Sequence, residues 1–230
     1  MQPKTAFITG TTSGFGYAFS LRLASLGYKL VITGRREDRL YELAEKIRKE
    51  YQVEVLPLCF DVRDKNACAE AINQLPENFK KIDLLVNNAG LAAGASPFDE
   101  SDVEDFERMI DTNVKGLLYI TKLIVPGMIE RQKGHIVNIS SVAGIEVYPN
   151  GSVYCASKHA VNAITKGLRI DLVKHGIKVS SISPGAVETE FSMVRYHGAE
   201  EKAKPVYKGI VQLPPEEFPN PLEFFLTRPH

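Results

Sequence analysis

Six short runs rich in apolar and β-branched residues alternate with five longer stretches of helical period, and this alternation constrains the chain more than any other feature. The runs cover residues 5–9, 29–33, 53–60, 82–87, 135–140 and 178–183, and the helical patterns cover 15–26, 37–51, 65–75, 103–131 and 153–175. Several runs are nearly all apolar, as strands must be when helices cover both faces of their sheet. Strict strand–helix alternation builds βαβ units, so the expected fold is a doubly wound α/β domain around a parallel sheet of six strands. No repeat or low-complexity tract interrupts it, and residues 1–230 read as a single domain. Only the segment 205–230 breaks the pattern. It carries Pro205, Pro214, Pro215, Pro219, Pro221 and Pro229, which remove amide donors and clash with a preceding helical turn; only residues 222–226 keep the apolar density to pack.

Charge and cysteine content narrow the function classes. The 28 basic and 28 acidic side chains cancel, so there is no general field to attract nucleic acid or an anionic membrane. No stretch is long and apolar enough for a signal peptide or a membrane span. Cys59, Cys68 and Cys155 are odd in number and lack CxxC spacing, which argues against a disulfide framework and a zinc site and for a reducing cytoplasm. His135, His159 and His175 have no ligand spacing, so no metal is expected. Two Asn-x-Ser triplets, at Asn138 and Asn150, are chance matches to a glycosylation pattern.

Between the first strand and its helix stands Thr9-Gly10-Thr11-Thr12-Ser13-Gly14-Phe15-Gly16. Such a glycine-rich turn allows a sharp exit from the strand, close approach of backbone to a pyrophosphate, and helix-terminal amides aimed at negative charge. It is also compatible with a turn that binds nothing. The second strand ends Gly34-Arg35-Arg36, where an NAD-binding fold would place a carboxylate for the ribose 2′-hydroxyl. Two guanidinium groups suit a 2′-phosphate instead, favouring NADP(H), although Glu37 and Asp38 could simply balance them. Tyr154 and Lys158 stand four apart in a helical pattern and so share one face of a turn. A nearby ammonium would lower the phenol pKa and suit it to proton transfer, but the same spacing is common in ordinary helices.

Taken together, these motifs resemble the short-chain dehydrogenase/reductase family over nearly the whole chain. The glycine turn at Thr9 to Gly16, Asn87-Asn88-Ala89-Gly90, Asn113 in Asp111-Thr112-Asn113-Val114-Lys115-Gly116, Ser141 thirteen residues before Tyr154, and Pro184-Gly185 all match in order. The resemblance implies a Rossmann-type fold and gives Tyr154 the role of general acid and base. It has Lys158 holding the nicotinamide ribose and lowering the Tyr154 pKa, Ser141 binding the substrate oxygen, and Asn113 joining a proton relay through its helix backbone. Gly10, Thr12, Ser13, Gly14, Phe15 and Gly16 would cradle the cofactor phosphates. Asp61 and Val62 would contact the adenine and Asn88 the adenosine ribose side, with Asp61 alternatively capping the next helix. Pro184, Gly185, Val187 and Thr189 would close over the nicotinamide.

Within the family, Gly34-Arg35-Arg36, the segment from Val86 to Ala92, Met109 to Asn113 and Thr189 to Tyr196 look like the NADP-dependent 3-hydroxy acid dehydrogenases. That likeness implies oxidation of L-serine, L-allo-threonine or a 3-hydroxypropionate-like acid to the 3-oxo acid or semialdehyde, or the reverse. A substrate carboxylate needs a cation, and Arg195 is the candidate, with pairing to Glu190 or Glu200 as its alternative. Reduction of another carbonyl, such as a 3-oxoacyl thioester or a pterin, is the second reading, and a non-catalytic NADP-binding regulator the third. The resemblance also implies a homotetramer. The family's seventh strand is expected just after Leu226-Thr227-Arg228-Pro229-His230, so it is missing from this sequence, and Pro219 and Pro221 fall where an amphipathic helix is expected.

Overall fold

The computed structural model describes residues 3–185 together with Arg195 and Leu222. Six parallel strands form one sheet: β1 (Thr5–Ile8), β2 (Lys29–Gly34), β3 (Val55–Cys59), β4 (Ile82–Asn87), β5 (Gly134–Ile139) and β6 (Ile177–Ile182). Their order is β3-β2-β1-β4-β5-β6. The helices between them are α1 (Gly14–Ser25), α2 (Glu37–Tyr51), α3 (Lys65–Asn73), α4 (Val103–Ile110), α5 (Leu117–Glu130) and α6 (Ser152–Leu172). The expected α/β class and six strands are therefore present, with β3 shorter than its apolar run.

Strand residues alternate between two cores. Ala6, Ile8, Leu30 and Ile32 face Phe19 and Leu23 of α1 and the apolar stripe of α2. Their neighbours Phe7, Val31, Leu85 and Ile136 face Cys68 of α3 and Ile120, Ile124 and Met128 of α5. Both sets sit on period-two spacing, so each strand is buried twice, which is why the runs look uniformly apolar. Leu222, fully buried, joins the α1–α2 side. The rest of the proline-rich segment, with Val187 and Thr189, lies outside the described residues.

Sheet order reverses between β1 and β4, because β1 continues to β2 on one side while the chain returns to β4 on the other. Loops leaving the carboxyl ends of these two strands must diverge, and the crevice between them is where an open α/β sheet binds ligands. All the candidate residues but Arg195 and those on α6 and the segment after α4 follow the carboxyl end of a strand: Thr9 to Gly16 after β1, Arg35 and Arg36 after β2, Asp61 after β3, Asn88 after β4, Ser141 after β5 and Pro184 after β6.

The expected single helix over 103–131 is the main difference. Asp111–Gly116 is a π-helical segment between α4 and α5. The π turn joins α4 to α5 without a loop or a proline, so the continuous helical stretch in the sequence does not reveal it.

Candidate active site

The phosphate end is built from backbone. Gly10 adopts φ +70°, and a β-carbon there would approach Ala89 Cα to 2.8 Å. A β-carbon on Gly16 would sit 2.2 Å from the Gly10 carbonyl oxygen, so the turn folds back on itself too tightly for any side chain. Helix α1 opens with no side-chain cap and no acidic residue in its first turn, whereas α3 is capped by Asp64 and α4 by Asp102. Its first amides, which lack partners within the helix, and its positive dipole end face the crevice. An exposed anion such as a dinucleotide pyrophosphate fits this cradle.

The turn is held by the loop after β4. Thr9 Oγ1 accepts from the amides of Asn88 at 3.0 Å and Ala89 at 2.9 Å. Asn88 Nδ2 donates to the carbonyls of Thr9 and Gly10, each at 2.9 Å. Asn88 thus braces the glycine turn on the side where it is expected to line the adenosine ribose.

Two arginines follow β2. Arg36 donates through Nε and one terminal nitrogen to Thr12 Oγ1, at 3.1 and 3.0 Å, and to Ser13 Oγ at 2.7 Å. Its guanidinium is thereby placed on the glycine turn. Arg35 lies 3.6 Å from Asp61, whose carboxylate is held by Arg63. Burial raises the Asp61 pKa, but the hydrogen bonds from Arg63 outweigh it and leave the group below its ordinary value. Val62 is buried against Gly116.

At the other end of the crevice the groups are buried. Tyr154 and Lys158 occupy one face of α6, at 8 % and 5 % exposure. Ser141 follows β5, accepts from the Ala143 amide at 3.1 Å, donates to the Pro184 carbonyl at 3.5 Å, and its hydroxyl lowers the Tyr154 pKa. Its neighbour Ser140 is buried and donates to the Lys158 carbonyl at 3.4 Å. Pro184 is joined to this loop, its carbonyl accepting from Val142 N at 2.9 Å, and Gly185 follows it at the surface. Asn113 lies in the π segment and clamps Leu91: its Oδ1 accepts from Leu91 N and its Nδ2 donates to Leu91 O, both at 2.8 Å. A β-carbon on Gly90 would lie 3.2 Å from Asn113 Oδ1 and 3.4 Å from Lys158 Nζ. The structure therefore brings Asn113, Ser141, Tyr154 and Lys158 to one place.

Burial sets the electrostatics of this pair. Burial pushes the Tyr154 phenol well above its ordinary pKa, and the influences that lower it are the Ser141 hydroxyl and Arg195. Lys158 Nζ is turned to the Ile139 carbonyl at 2.9 Å and lies 5.9 Å from the Tyr154 ring centroid. Its own pKa is pushed down to about 8 by burial. Desolvation, which the sequence spacing does not report, dominates both groups.

Arg195 does reach this end. Its Nε donates to the Gly94 carbonyl at 3.2 Å, and a terminal nitrogen donates to the Tyr148 hydroxyl at 3.2 Å. Glu190 and Glu200 lie outside the described residues. Tyr148, Gly94, Thr9 and Arg63 are contributors that the sequence reading does not single out as site residues. For Thr9 the signal is present in its place at the head of the glycine turn, while Tyr148 sits in a loop without periodicity.

Comparison with known proteins agrees with this geometry. Residues 4–200 match the short chain dehydrogenase family. A probable NADP-dependent dehydrogenase of Haemophilus influenzae is 45 % identical over 221 residues, covering 96 % of this chain and 86 % of that protein. The NADP-dependent 3-hydroxy acid dehydrogenase of Escherichia coli K12 is 43 % identical over 223 residues, covering 96 % and 88 %. Among solved structures, the closed form of a serine dehydrogenase complexed with NADP+ superposes with a TM-score of 0.92 at 42 % identity, covering 98 % of this chain and 90 % of that one. With a family match across most of its length and these relatives, the chain belongs to the short-chain dehydrogenase family.

Proposed function

We propose that this chain is an NADP(H)-dependent oxidoreductase that interconverts a 3-hydroxy acid, such as L-serine, L-allo-threonine or 3-hydroxypropionate, with the corresponding 3-oxo acid or semialdehyde. The observation that carries the reading is a buried Tyr154 one helical turn from Lys158, with the Ser141 hydroxyl and Arg195 both close enough to lower its pKa. Proton transfer and a cation for a carboxylate are thus within one site.

Bound NADP(H) supplies or accepts the hydride. Tyr154 gives a proton to the nascent alkoxide in reduction and takes one from the alcohol in oxidation. Ser141 donates a hydrogen bond to the same substrate oxygen and stabilises charge growing there. Lys158 donates toward the nicotinamide ribose, a role its buried ammonium can fill by turning from Ile139. Because the Asn113 side chain is spent on Leu91 and Ser157, a water of the proton relay would be bound through its backbone carbonyl in the π segment. Gly10 to Gly16 hold the pyrophosphate, and Arg35 and Arg36 the 2′-phosphate. Asp61 and Val62 would meet the adenine, Asn88 the ribose side, and Pro184 and Gly185 the nicotinamide, with Val187 and Thr189 assigned to the nicotinamide by the family resemblance alone.

An assay with NADP+ and L-serine beside a panel of uncharged alcohols tests this. Faster turnover of L-serine and related 3-hydroxy acids is expected. No turnover of any 3-hydroxy acid, with NADPH-dependent reduction of a 3-oxoacyl thioester or a pterin, would replace it. The three cysteines remain unpaired, which suits a reducing cytoplasm. Exposed Leu118 on α5, with Ile170 on α6 and Val173 just beyond it, would be covered on self-association; the homotetramer itself rests on the family resemblance, and sedimentation tests it.

A further inference from the structure

Asp61 places a negative charge beside the arginine that would read the cofactor's 2′-phosphate. Its Oδ2 lies 3.6 Å from Arg35, close enough to compete with a phosphate for that guanidinium. The competition is held off from within the same turn. Arg63 donates its backbone amide to Asp61 Oδ1 at 3.0 Å, and its Nε and a terminal nitrogen to Oδ2 at 2.9 and 2.6 Å. Asp64 N closes the turn on the Asp61 carbonyl at 3.0 Å, so the carboxylate cannot swing toward Arg35 without breaking these bonds. On the far side of Arg63, Asp111 could draw it away, but Lys115 holds that carboxylate at 2.8 Å.

We propose that Arg63 is a specificity-determining positioning residue: by engaging Asp61 in a two-oxygen clamp, it keeps Arg35 available to the 2′-phosphate of NADP(H). The proposal rests on the NADP(H) reading above. Arg63 itself does not have to touch the cofactor. The guanidinium spends two donors on Oδ2, the oxygen that faces Arg35, while the backbone amide holds Oδ1; a lysine, being a point charge, would engage Oδ2 less completely. Without the clamp, Arg35 closes on Asp61, the incoming phosphate meets one cation fewer, and the carboxylate repels it. NADH carries no 2′-phosphate and is indifferent to this exchange.

The test compares kcat/KM for NADPH and NADH in the wild type, Arg63→Gln, Arg63→Lys and the double variant Asp61→Asn/Arg63→Gln, each with its Tm. Arg63→Gln is expected to lower the NADPH-over-NADH ratio about tenfold through KM for NADPH, the size of one charge-assisted contact. Arg63→Lys should recover part of the ratio. In the double variant, where no carboxylate is left to capture Arg35, the ratio should return to within about twofold of wild type. Equal losses for both coenzymes, or an unchanged ratio, would overturn the proposal and leave Arg63 a structural residue. A wild type with no preference for NADPH would instead overturn the cofactor reading itself.

Discussion

The two ends of the crevice solve recognition in opposite ways. At the β1–β2–β3 end the charged groups stand in solvent, the Arg35 side chain being 53 % exposed, and the uncapped start of α1 supplies backbone donors. At the β5–β6 end Tyr154 and Lys158 are almost wholly buried, and desolvation moves their pKa values in opposite directions. An anion can be caught by exposed cations and fixed amides because its charge persists throughout binding. A proton is moved by groups that change charge, and burial penalises the charged form of each: it brings the Lys158 ammonium toward neutral pH and takes the Tyr154 phenolate further from it. The difference predicts that substitutions at one end alter which cofactor is held, while those at the other alter turnover.

The sharpest test of the buried end is Tyr154→Phe. Turnover should fall by about 10³-fold or more, while NADPH affinity, measured by fluorescence titration, stays within about twofold; retained turnover would remove Tyr154 from its role. At the exposed end, changing Arg35 and Arg36 together to serine should lower kcat/KM for NADPH by about 100-fold with NADH little affected. A parallel fall with NADH would mean that the arginines shape the turn instead of reading a phosphate. Arg195→Met should raise KM for L-serine about tenfold and leave uncharged alcohols alone. Equal effects on both substrates would assign Arg195 to the Tyr148 and Gly94 contacts only.

The smallest effect concerns stability. Lys158 has a folded pKa near 8, against about 10.4 for a free lysine. Between those values the unfolded chain binds more protons than the folded one, so this group makes stability rise with pH there. The gain is at most about 1 kcal/mol per pH unit. Comparing urea denaturation at pH 7.5 and 9.5 should show that rise diminished in Lys158→Met. A separate pH dependence belongs to Tyr154: its raised pKa leaves little phenolate at neutral pH, so alcohol oxidation should accelerate with rising pH while carbonyl reduction stays flat. Identical profiles in both directions would contradict a tyrosine base.

Strand positions were legible because a doubly covered strand must be apolar on both faces, as in Leu84, Leu85 and Val86. Gly10, Gly16, Arg35, Arg36, Tyr154 and Lys158 were legible because each stands at a fixed offset from a strand end or along one helix. What sequence concealed was environmental. Spacing suggested that Lys158 would lower the Tyr154 pKa, but spacing reports neither burial nor the pull of the Ile139 carbonyl. Arg63 carries no motif of its own, because its importance lies in the carboxylate it occupies. The clamp of Asn113 on Leu91 joins residues far apart in the chain, and only the fold brings them together.

The π segment over Asp111–Gly116 behaves as a one-residue insertion that the helix has absorbed without a loop. Removing a residue there would rotate everything downstream by about 100°. Asn113 faces the site from within the segment, whereas Ile120, Ile124 and Met128 fill the core beyond it. These two sets of side chains share one continuous rod but need different angular settings. The extra residue is the phase offset that lets one helix serve both, so a one-residue deletion here should displace Asn113 and the core side chains of α5 relative to each other.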